Sequence, residues 1–175
     1  MNNIVLIGMP GAGKSSVGVV LAKHLGYHFV DSDLVIQEEE GRLLHELIEE
    51  YGLEGFLELE DRINSSLSYN KTVIATGGSA IYGKQGMEHF AATGTIVYLK
   101  LSPKTIRRRL GDLHQRGVAL KEGQTLEQLY EERIPLYEKY SDLTIDAEKM
   151  NIRAIVHSIA DYVKSNTDKN SSSDE

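Results

Sequence analysis

The sequence contains no cysteine, which excludes both a disulfide framework and a thiolate-ligated metal site. It also lacks a long apolar run near its start, because IVLI at residues 4–7 is too short for a membrane span or a signal peptide. We therefore expect a cytoplasmic protein. Positive charge is in the minority: 26 acidic residues outnumber 19 lysines and arginines, for a net charge of −7. This balance argues against extensive binding to nucleic acid or to an anionic membrane.

The chain length indicates a single domain. A chain of 175 residues, 41% of them hydrophobic, is long enough to form one compact domain with its own core. The segment after Val163, KSNTDKNSSSDE, has almost no apolar side chains whose burial could offset the entropy of ordering it. We expect one domain over residues 1–163 and a disordered polar tail over residues 164–175.

Short apolar runs alternate with segments of helical spacing. The runs predict strands at residues 4–7, 27–30, 72–76, 95–99 and 143–145. Helical spacing covers residues 14–25, 43–67 with a break near Gly52, 124–140 and 151–163, and further helices are expected after Asp33 and Ser102. The alternation predicts an α/β fold with a parallel sheet, in which ligands bind beyond the carboxyl ends of the strands.

The stretch GMPGAGKSS, residues 8–16, matches the phosphate-binding pattern G-x-x-x-x-G-K-S and lies between a predicted strand and a predicted helix. Its glycines let backbone N–H groups approach phosphates. Lys14 adds a positive charge near the β- and γ-phosphates, and the Ser15 hydroxyl is placed to ligate Mg²⁺. A glycine turn that only joins strand to helix is the alternative, but the complete motif favours binding of ATP or GTP. The candidate nucleotide-binding residues here are Gly11, Ala12, Gly13, Lys14, Ser15 and Ser16.

Two aspartates follow the predicted strand at residues 27–30. Asp31 is the candidate carboxylate on the metal side, acting through water, and Asp33 is the candidate group for an incoming hydroxyl. Helix capping is the alternative for both. Gly77 and Gly78 follow another predicted strand, so all these residues should meet at one rim of the sheet.

With these pieces together, the chain resembles the shikimate kinase family over nearly all of residues 1–163. The matching stretches are GMPGAGKSS, VDSD at 30–33, Phe56 and Glu60 in GFLELE, TGGSA at 76–80, RRRLGDLHQRG at 107–117 and RIPLYEKYSDLTID at 133–146. The resemblance implies a P-loop fold of the nucleoside-monophosphate-kinase type: a five-stranded parallel sheet flanked by helices. It also implies a substrate-binding region at about 32–62, a lid at about 111–123, and ATP with Mg²⁺ as cofactors.

The resemblance also assigns roles to single residues. It gives Lys14, Asp33 and the lid residue Arg116 to catalysis, and Ser15 and Asp31 to the metal. Arg109 would lie against the adenine ring, where a planar guanidinium stacks well. The implied substrate-binding residues, among which Arg133 would grip the substrate carboxylate, are Asp33, Leu57, Glu60, Gly77, Gly78, Ser79 and Arg133.

Three positions depart from the family pattern, all outside the nucleotide half. Leu57 stands where the family has an arginine that shares the substrate carboxylate. Ser79 stands where the family has a third glycine. In the lid, Arg116 is followed by Gly117 and Val118 rather than by proline and leucine.

The missing arginine leaves two acceptors open. Losing one charged partner from an enclosed site costs about 2–5 kcal/mol of substrate binding. It also leaves Glu60 without its expected partner, and an unpaired buried carboxylate favours a cation. A hydroxy amino acid such as homoserine would place its amine near Glu60 or Glu54. Alternatively, Arg62 replaces the lost contact and the acceptor is shikimate, although helical spacing pairs Arg62 with Glu58.

Other classes of function fit less well. A nucleotide kinase needs a second basic site, whereas residues 54–61 are acidic. A non-catalytic nucleotide-binding regulator would need neither Asp33 nor Arg133. A nucleic-acid role would depend on the arginine triplet at 107–109, which has no flanking aromatic residues. We therefore expect a monomeric enzyme that uses ATP to phosphorylate a hydroxyl on a small carboxylate-bearing metabolite.

Overall fold

The computed structural model describes residues 2–111 and 118–171, and the fold is an α/β sheet structure. Its described strands are β1 (Asn3–Ile7), β2 (His28–Asp31), β3 (Thr72–Ala75), β4 (Gly94–Lys100) and β5 (Leu143–Asp146). They form one sheet in the order β2-β3-β1-β4-β5, and every neighbouring pair is parallel. The prediction of a five-stranded parallel sheet is confirmed.

Helices cover both faces of this sheet, as parallel strands require. Within the described residues they are α1 (Lys14–Leu25), α2 (Ser32–Glu40), α3 (Leu44–Ser66), α4 (Lys84–Thr93), α5 (Pro103–Leu110), α6 (Leu126–Tyr140) and α7 (Ile152–Ser171). A short 3₁₀ helix, Ala80–Tyr82, follows β3. The predicted break in α3 is present at Gly52, whose backbone is left-handed in φ at 70°. No described helix has the length and apolar character that crossing a bilayer requires.

Two helices differ from the sequence-based expectation. Helix α4 was not predicted, because its N-terminus is capped from a distance: Asp61 Oδ1 on α3 accepts from Gly86 N at 2.6 Å. Helix α7 continues past Val163 to Ser171, into the segment for which the sequence predicts a disordered polar tail. Ser165 Oγ donates to Asp161 O and Thr167 Oγ1 donates to Val163 O, so each hydroxyl bonds to the carbonyl four residues earlier in the helix.

The register of three strands explains why the candidate loops converge. Ala75 on β3 pairs with Asp31 on β2 and with Leu6 on β1, so these strands end in one row. The central strand β1 is completely buried, which fixes its position in the core. The phosphate loop, the Asp31–Asp33 turn and the Gly77–Gly78 loop therefore leave the sheet side by side.

Candidate active site

The phosphate loop joins β1 to α1 as predicted. Gly11 and Gly13 have φ values of 78° and 92°, in the left-handed region that favours glycine. A Cβ atom on Gly8 would lie 2.7 Å from Leu99 O on β4, so a side chain there would collide with backbone. Helix α1 begins directly after Gly13, and its first N–H groups are available to an anion.

Lys14 lies at the centre of this loop and is buried. Its Nζ donates to Gly8 O at 2.7 Å and to Met9 O at 2.8 Å, so the loop's own carbonyls position the ammonium group. Burial lowers the pKa of Lys14 to about 8, although the nearby Asp33 carboxylate acts in the opposite direction. A triphosphate in the loop would stabilise the charged form.

Ser15 and Asp31 meet at the start of α1 and the end of β2. Ser15 Oγ donates to Asp31 Oδ2 at 2.7 Å, and Asp31 Oδ1 accepts from Asp33 N at 3.0 Å. Asp31 therefore also caps α2, which was the alternative reading of this residue. A hydroxyl and a carboxylate oxygen at this spacing fit Mg²⁺, which takes one or two protein oxygens and completes its shell with phosphate oxygens and water.

Asp33 and Glu60 form an acidic side of the site around Gly77. A Cβ atom on Gly77 would lie 2.6 Å from Asp33 Oδ1 and 2.9 Å from Glu60 Oε2. Burial raises the pKa of Asp33 to about 6, with the neighbouring Asp31 carboxylate acting in the same direction. Burial and the charge of Asp33 raise the pKa of Glu60 to about 8. The pKa values of both carboxyls therefore lie within about one unit of neutral pH.

Arg133 on α6 provides the basic side. It is 1% exposed, and its Nη2 donates to Ala119 O at 2.9 Å. Among the described residues its Nε and Nη1 have no hydrogen-bond partner, and Nη1 lies 2.8 Å from the position that a Gly78 Cβ would take. These free N–H groups point to different sides of the planar guanidinium, and each is a charged donor that a carboxylate oxygen can accept from.

A single cavity of about 300 Å³ brings most of these residues together. Its described lining includes predicted residues from the nucleotide half and from the acceptor half of the site. They are Gly11, Gly13, Lys14, Ser15, Ser16, Asp31, Asp33, Gly77, Gly78, Ser79 and Arg133.

The other predicted residues lie outside that lining. Ala12 is buried in the hydrophobic core below the loop. Exposed Arg109 donates through Nη1 to Gly11 O at 3.3 Å, on the outside of the phosphate loop. Leu57 is partly buried against the core, and Glu60 lies behind the Gly77–Ser79 loop. Arg116 and the other lid residues at 112–117 lie outside the described residues.

Arg62 does not pair as helical spacing predicted. Its Nη2 lies 3.2 Å from Glu40 Oε1 at the end of α2, rather than near Glu58 on its own helix. The side chain is 65% exposed, so this pair is a surface contact. Arg62 is therefore engaged outside the cavity and does not take the position of the missing arginine at Leu57.

Two tyrosines near the acceptor half were not predicted. Tyr137 OH donates to Gly78 O at 2.6 Å and thereby supports the glycine loop. The Tyr82 ring lies under the Arg133 guanidinium, at 5.4 Å from centroid to Cζ, and its hydroxyl donates to Glu132 Oε1 at 2.6 Å. Tyr137 was detectable in principle, because a residue four positions after Arg133 shares its helix face. Tyr82 had no local signal.

Both the sequence and the fold of this chain are similar to those of known proteins. The sequence model described as shikimate kinase matches residues 10–164. The shikimate kinase of Haemophilus influenzae (strain PittEE) is 34% identical over 92% of this chain and 92% of its own length. That of Thermodesulfovibrio yellowstonii is 35% identical over 91% of this chain and 93% of its own length. The solved structure of shikimate kinase from Acinetobacter baumannii in complex with shikimate has a TM-score of 0.85 and 31% identity, covering 95% of this chain and 94% of that one.

Proposed function

The chain belongs to the shikimate kinase family, and from that premise we propose that it transfers the γ-phosphate of ATP to a hydroxyl of shikimate. Membership makes it an ATP-dependent small-molecule kinase that uses Mg²⁺. One observation carries the proposal for the acceptor. Asp33 and Arg133 flank the Gly77–Gly78 loop in the same cavity that the phosphate loop lines, so a carboxylate and a hydroxyl of one small molecule have partners beside the donor.

On the donor side, the backbone N–H groups of residues 11–16 and the Lys14 ammonium group bind the phosphates. The Ser15 hydroxyl and, through water, the Asp31 carboxylate would hold the metal ion. When bound, Mg²⁺ neutralises charge on the β- and γ-phosphates. Lys14 would exchange the carbonyls of Gly8 and Met9 for phosphate oxygens when a nucleotide binds.

On the acceptor side, Asp33 orients the attacking hydroxyl and accepts its proton. Its pKa of about 6 keeps it ionised at neutral pH yet basic enough to take that proton. Arg133 binds the substrate carboxylate through N–H groups of its guanidinium that have no partner among the described residues, and Gly77 and Gly78 let the substrate approach both residues. Arg116 and Arg109 keep the roles that the family pattern gives them, on the transferring phosphate and on the adenine ring.

Closure of a lid over residues 111–123 would exclude water from the transfer step. Within the described part of this segment, Arg133 Nη2 already contacts Ala119 O, which links the acceptor side to the lid. The substrate region at about 32–62 supplies Asp33 and Glu60.

Since one chain provides both halves of the site, we propose a monomer. Because the donor is ATP, we also propose that it works in the cytoplasm.

A hydroxy amino acid such as homoserine is a second candidate acceptor, and one specific observation favours it. Glu60 Oε2 is buried and has no hydrogen-bond partner among the described residues, while Leu57 provides no guanidinium beside it. A substrate ammonium group on this acidic side, with its carboxylate on Arg133, would satisfy both charges.

Release of ADP from Mg-ATP, measured against a panel of acceptors, tests these proposals. The panel contains shikimate, homoserine, other hydroxy acids and nucleoside monophosphates. Turnover of shikimate at the highest kcat/KM supports the first proposal, and a preference for homoserine supports the second. ATP binding without turnover of any compound contradicts both and favours a nucleotide-binding regulator.

The variant Leu57→Arg separates the two acceptors further. A restored positive charge should lower the KM for shikimate and raise it for an amine-bearing acceptor, by about tenfold in each direction. Leu43→Arg is the matched control, because Leu43 is an exposed leucine at the start of the same helix. Equal effects of the two variants would show that the charge acts on the site nonspecifically.

A further inference from the structure

Ser79 and Glu60 form a buried hydrogen bond at the acceptor half of the cavity. Ser79 lines the cavity where the chain passes from β3 to the 3₁₀ helix, and its Oγ donates to Glu60 Oε1 at 2.7 Å. The two residues are 6% and 2% exposed. Glu60 Oε2 has no hydrogen-bond partner among the described residues. Ser79 is therefore the described side chain that holds Glu60 in place.

The Ser79 hydroxyl is not used in the way that is common for a serine at the start of a helix. Ser79 occupies the N-cap position of the 3₁₀ helix Ala80–Tyr82, but its side chain makes no capping hydrogen bond. Its proton is directed to a distant residue on α3 instead of to the local backbone. The hydroxyl therefore does not serve to cap the 3₁₀ helix.

The direction of this hydrogen bond sets the polarity that Ser79 presents to the cavity. A serine hydroxyl has one proton to donate and two lone pairs. When Glu60 Oε1 accepts this proton, the lone pairs of the serine oxygen remain for a ligand. Lys14 and Arg133 provide donors in the same cavity and Asp33 provides a charged acceptor, whereas Ser79 adds a neutral acceptor.

We infer that Ser79 is a specificity-determining residue that accepts a hydrogen bond from a second donor group of the acceptor substrate, an O–H or N–H group other than the hydroxyl that is phosphorylated. Glu60 acts through Ser79 as a positioning residue. The inference rests on the proposed kinase function. It also accounts for two departures from the family pattern together. Leu57 replaces the arginine expected beside Glu60, and Ser79 provides a hydrogen bond to Glu60 instead.

The variants Ser79→Ala and Glu60→Gln test this assignment, with binding of the acceptor and steady-state kinetics measured at saturating Mg-ATP. Ser79→Ala should raise the KM of the acceptor about five- to twentyfold, with kcat and nucleotide affinity within about twofold of the parent. Ser65→Ala is the matched control, because that serine lies on α3 outside the cavity lining and donates to a carbonyl of its own helix. Thermal unfolding of each variant checks that the fold is retained.

Glu60→Gln distinguishes action through Ser79 from direct action. A glutamine amide can donate to Ser79 Oγ, which frees the serine proton and reverses the polarity facing the cavity. The variant should therefore raise the KM of the acceptor in the parent, but change it by less than about twofold in the Ser79→Ala background. Equal effects in both backgrounds would overturn the inference.

Analogues of the accepted substrate identify the source of the donor. If Ser79 contacts a second hydroxyl, an analogue lacking that hydroxyl should bind equally well to the parent and to Ser79→Ala. If it contacts an amine, the analogue lacking the amine should behave in this way. Normal turnover with an unchanged KM in Ser79→Ala contradicts this inference alone, whereas absence of binding and turnover for every acceptor contradicts the proposed function as well.

Discussion

The Ser15 hydroxyl and the Asp31 carboxylate are directly hydrogen-bonded, at 2.7 Å, across the gap between the phosphate loop and the end of β2. The other oxygen of Asp31 caps α2 through Asp33 N. One carboxylate therefore fixes both the hydroxyl proposed to ligate the metal and the turn that carries the proposed base. The metal side and the acceptor side of the site share this residue.

This link predicts coupled effects on the metal requirement. Ser15→Ala and Asp31→Asn should each raise the Mg²⁺ concentration needed for half-maximal activity about tenfold, because each removes an oxygen ligand or its orientation. In the double variant, the increase in this Mg²⁺ concentration should be well below the product of the two single increases. Titration of activity with Mg²⁺ at fixed ATP measures this, with Ser65→Ala as the control. Strictly multiplicative effects would show that the two residues act independently.

The pH dependence of kcat/KM should be bell-shaped. Asp33 must be ionised to accept a proton, and its pKa is raised to about 6, so activity should fall as the pH drops through 6. Lys14 must be protonated to attract phosphates, and its pKa is lowered to about 8, so kcat/KM for ATP should fall above pH 8. In the profile of kcat, the upper limb should move to higher pH, because bound phosphates stabilise the charged lysine. Asp33→Asn should abolish the acidic limb along with most activity.

Glu60 should lower the stability of the protein at alkaline pH. Its folded-state pKa is raised from 4.5 to about 8, so ionisation favours the unfolded chain, and the penalty grows as the pH rises from 4.5 towards 8. Glu60→Gln should therefore raise the free energy of unfolding by about 1–3 kcal/mol more at pH 8 than at pH 4.5. Denaturant unfolding at the two pH values tests this. Glu58→Gln is the control, since Glu58 is exposed on the same helix, and a pH-independent gain would contradict the prediction.

Residues whose role depends on local pattern were predictable from the sequence. The phosphate loop and the Gly52 break follow from glycine spacing alone, and the parallel sheet follows from unbroken apolar runs. Interactions between distant segments were not predictable. The N-terminus of helix α4 is capped by Asp61 on α3. Arg62 pairs with Glu40 because the turn between α2 and α3 brings the end of α2 alongside Arg62. Leu57 occupies the expected motif position but packs against the core, which spacing could not show.

Gly77 and Gly78 should tolerate alanine differently, because each adjoins a different charged group. A Cβ atom at 77 would crowd Asp33 Oδ1 at 2.6 Å and Glu60 Oε2 at 2.9 Å. A Cβ atom at 78 would lie 2.7 Å from Pro10 Cδ and 2.8 Å from Arg133 Nη1. Neither glycine has a positive φ, so the backbone itself accepts a side chain, and the cost comes from displacing these neighbours.

The two alanine variants should therefore separate the proposed base from the proposed carboxylate site. Gly77→Ala displaces Asp33 and should lower kcat about a hundredfold or more, since misplacing a catalytic group by about 1 Å has an effect of this size. Gly78→Ala displaces the Arg133 guanidinium and should mainly raise the KM of the acceptor. Gly77→Ala should bind ATP normally, because Lys14 and Ser15 belong to another loop, whereas Gly78→Ala also crowds Pro10 of the phosphate loop and should weaken ATP binding as well. Steady-state kinetics with a nucleotide-binding assay provides the comparison. Identical changes of kcat and KM in the two variants would mean that Asp33 and Arg133 do not act on separate ends of the acceptor.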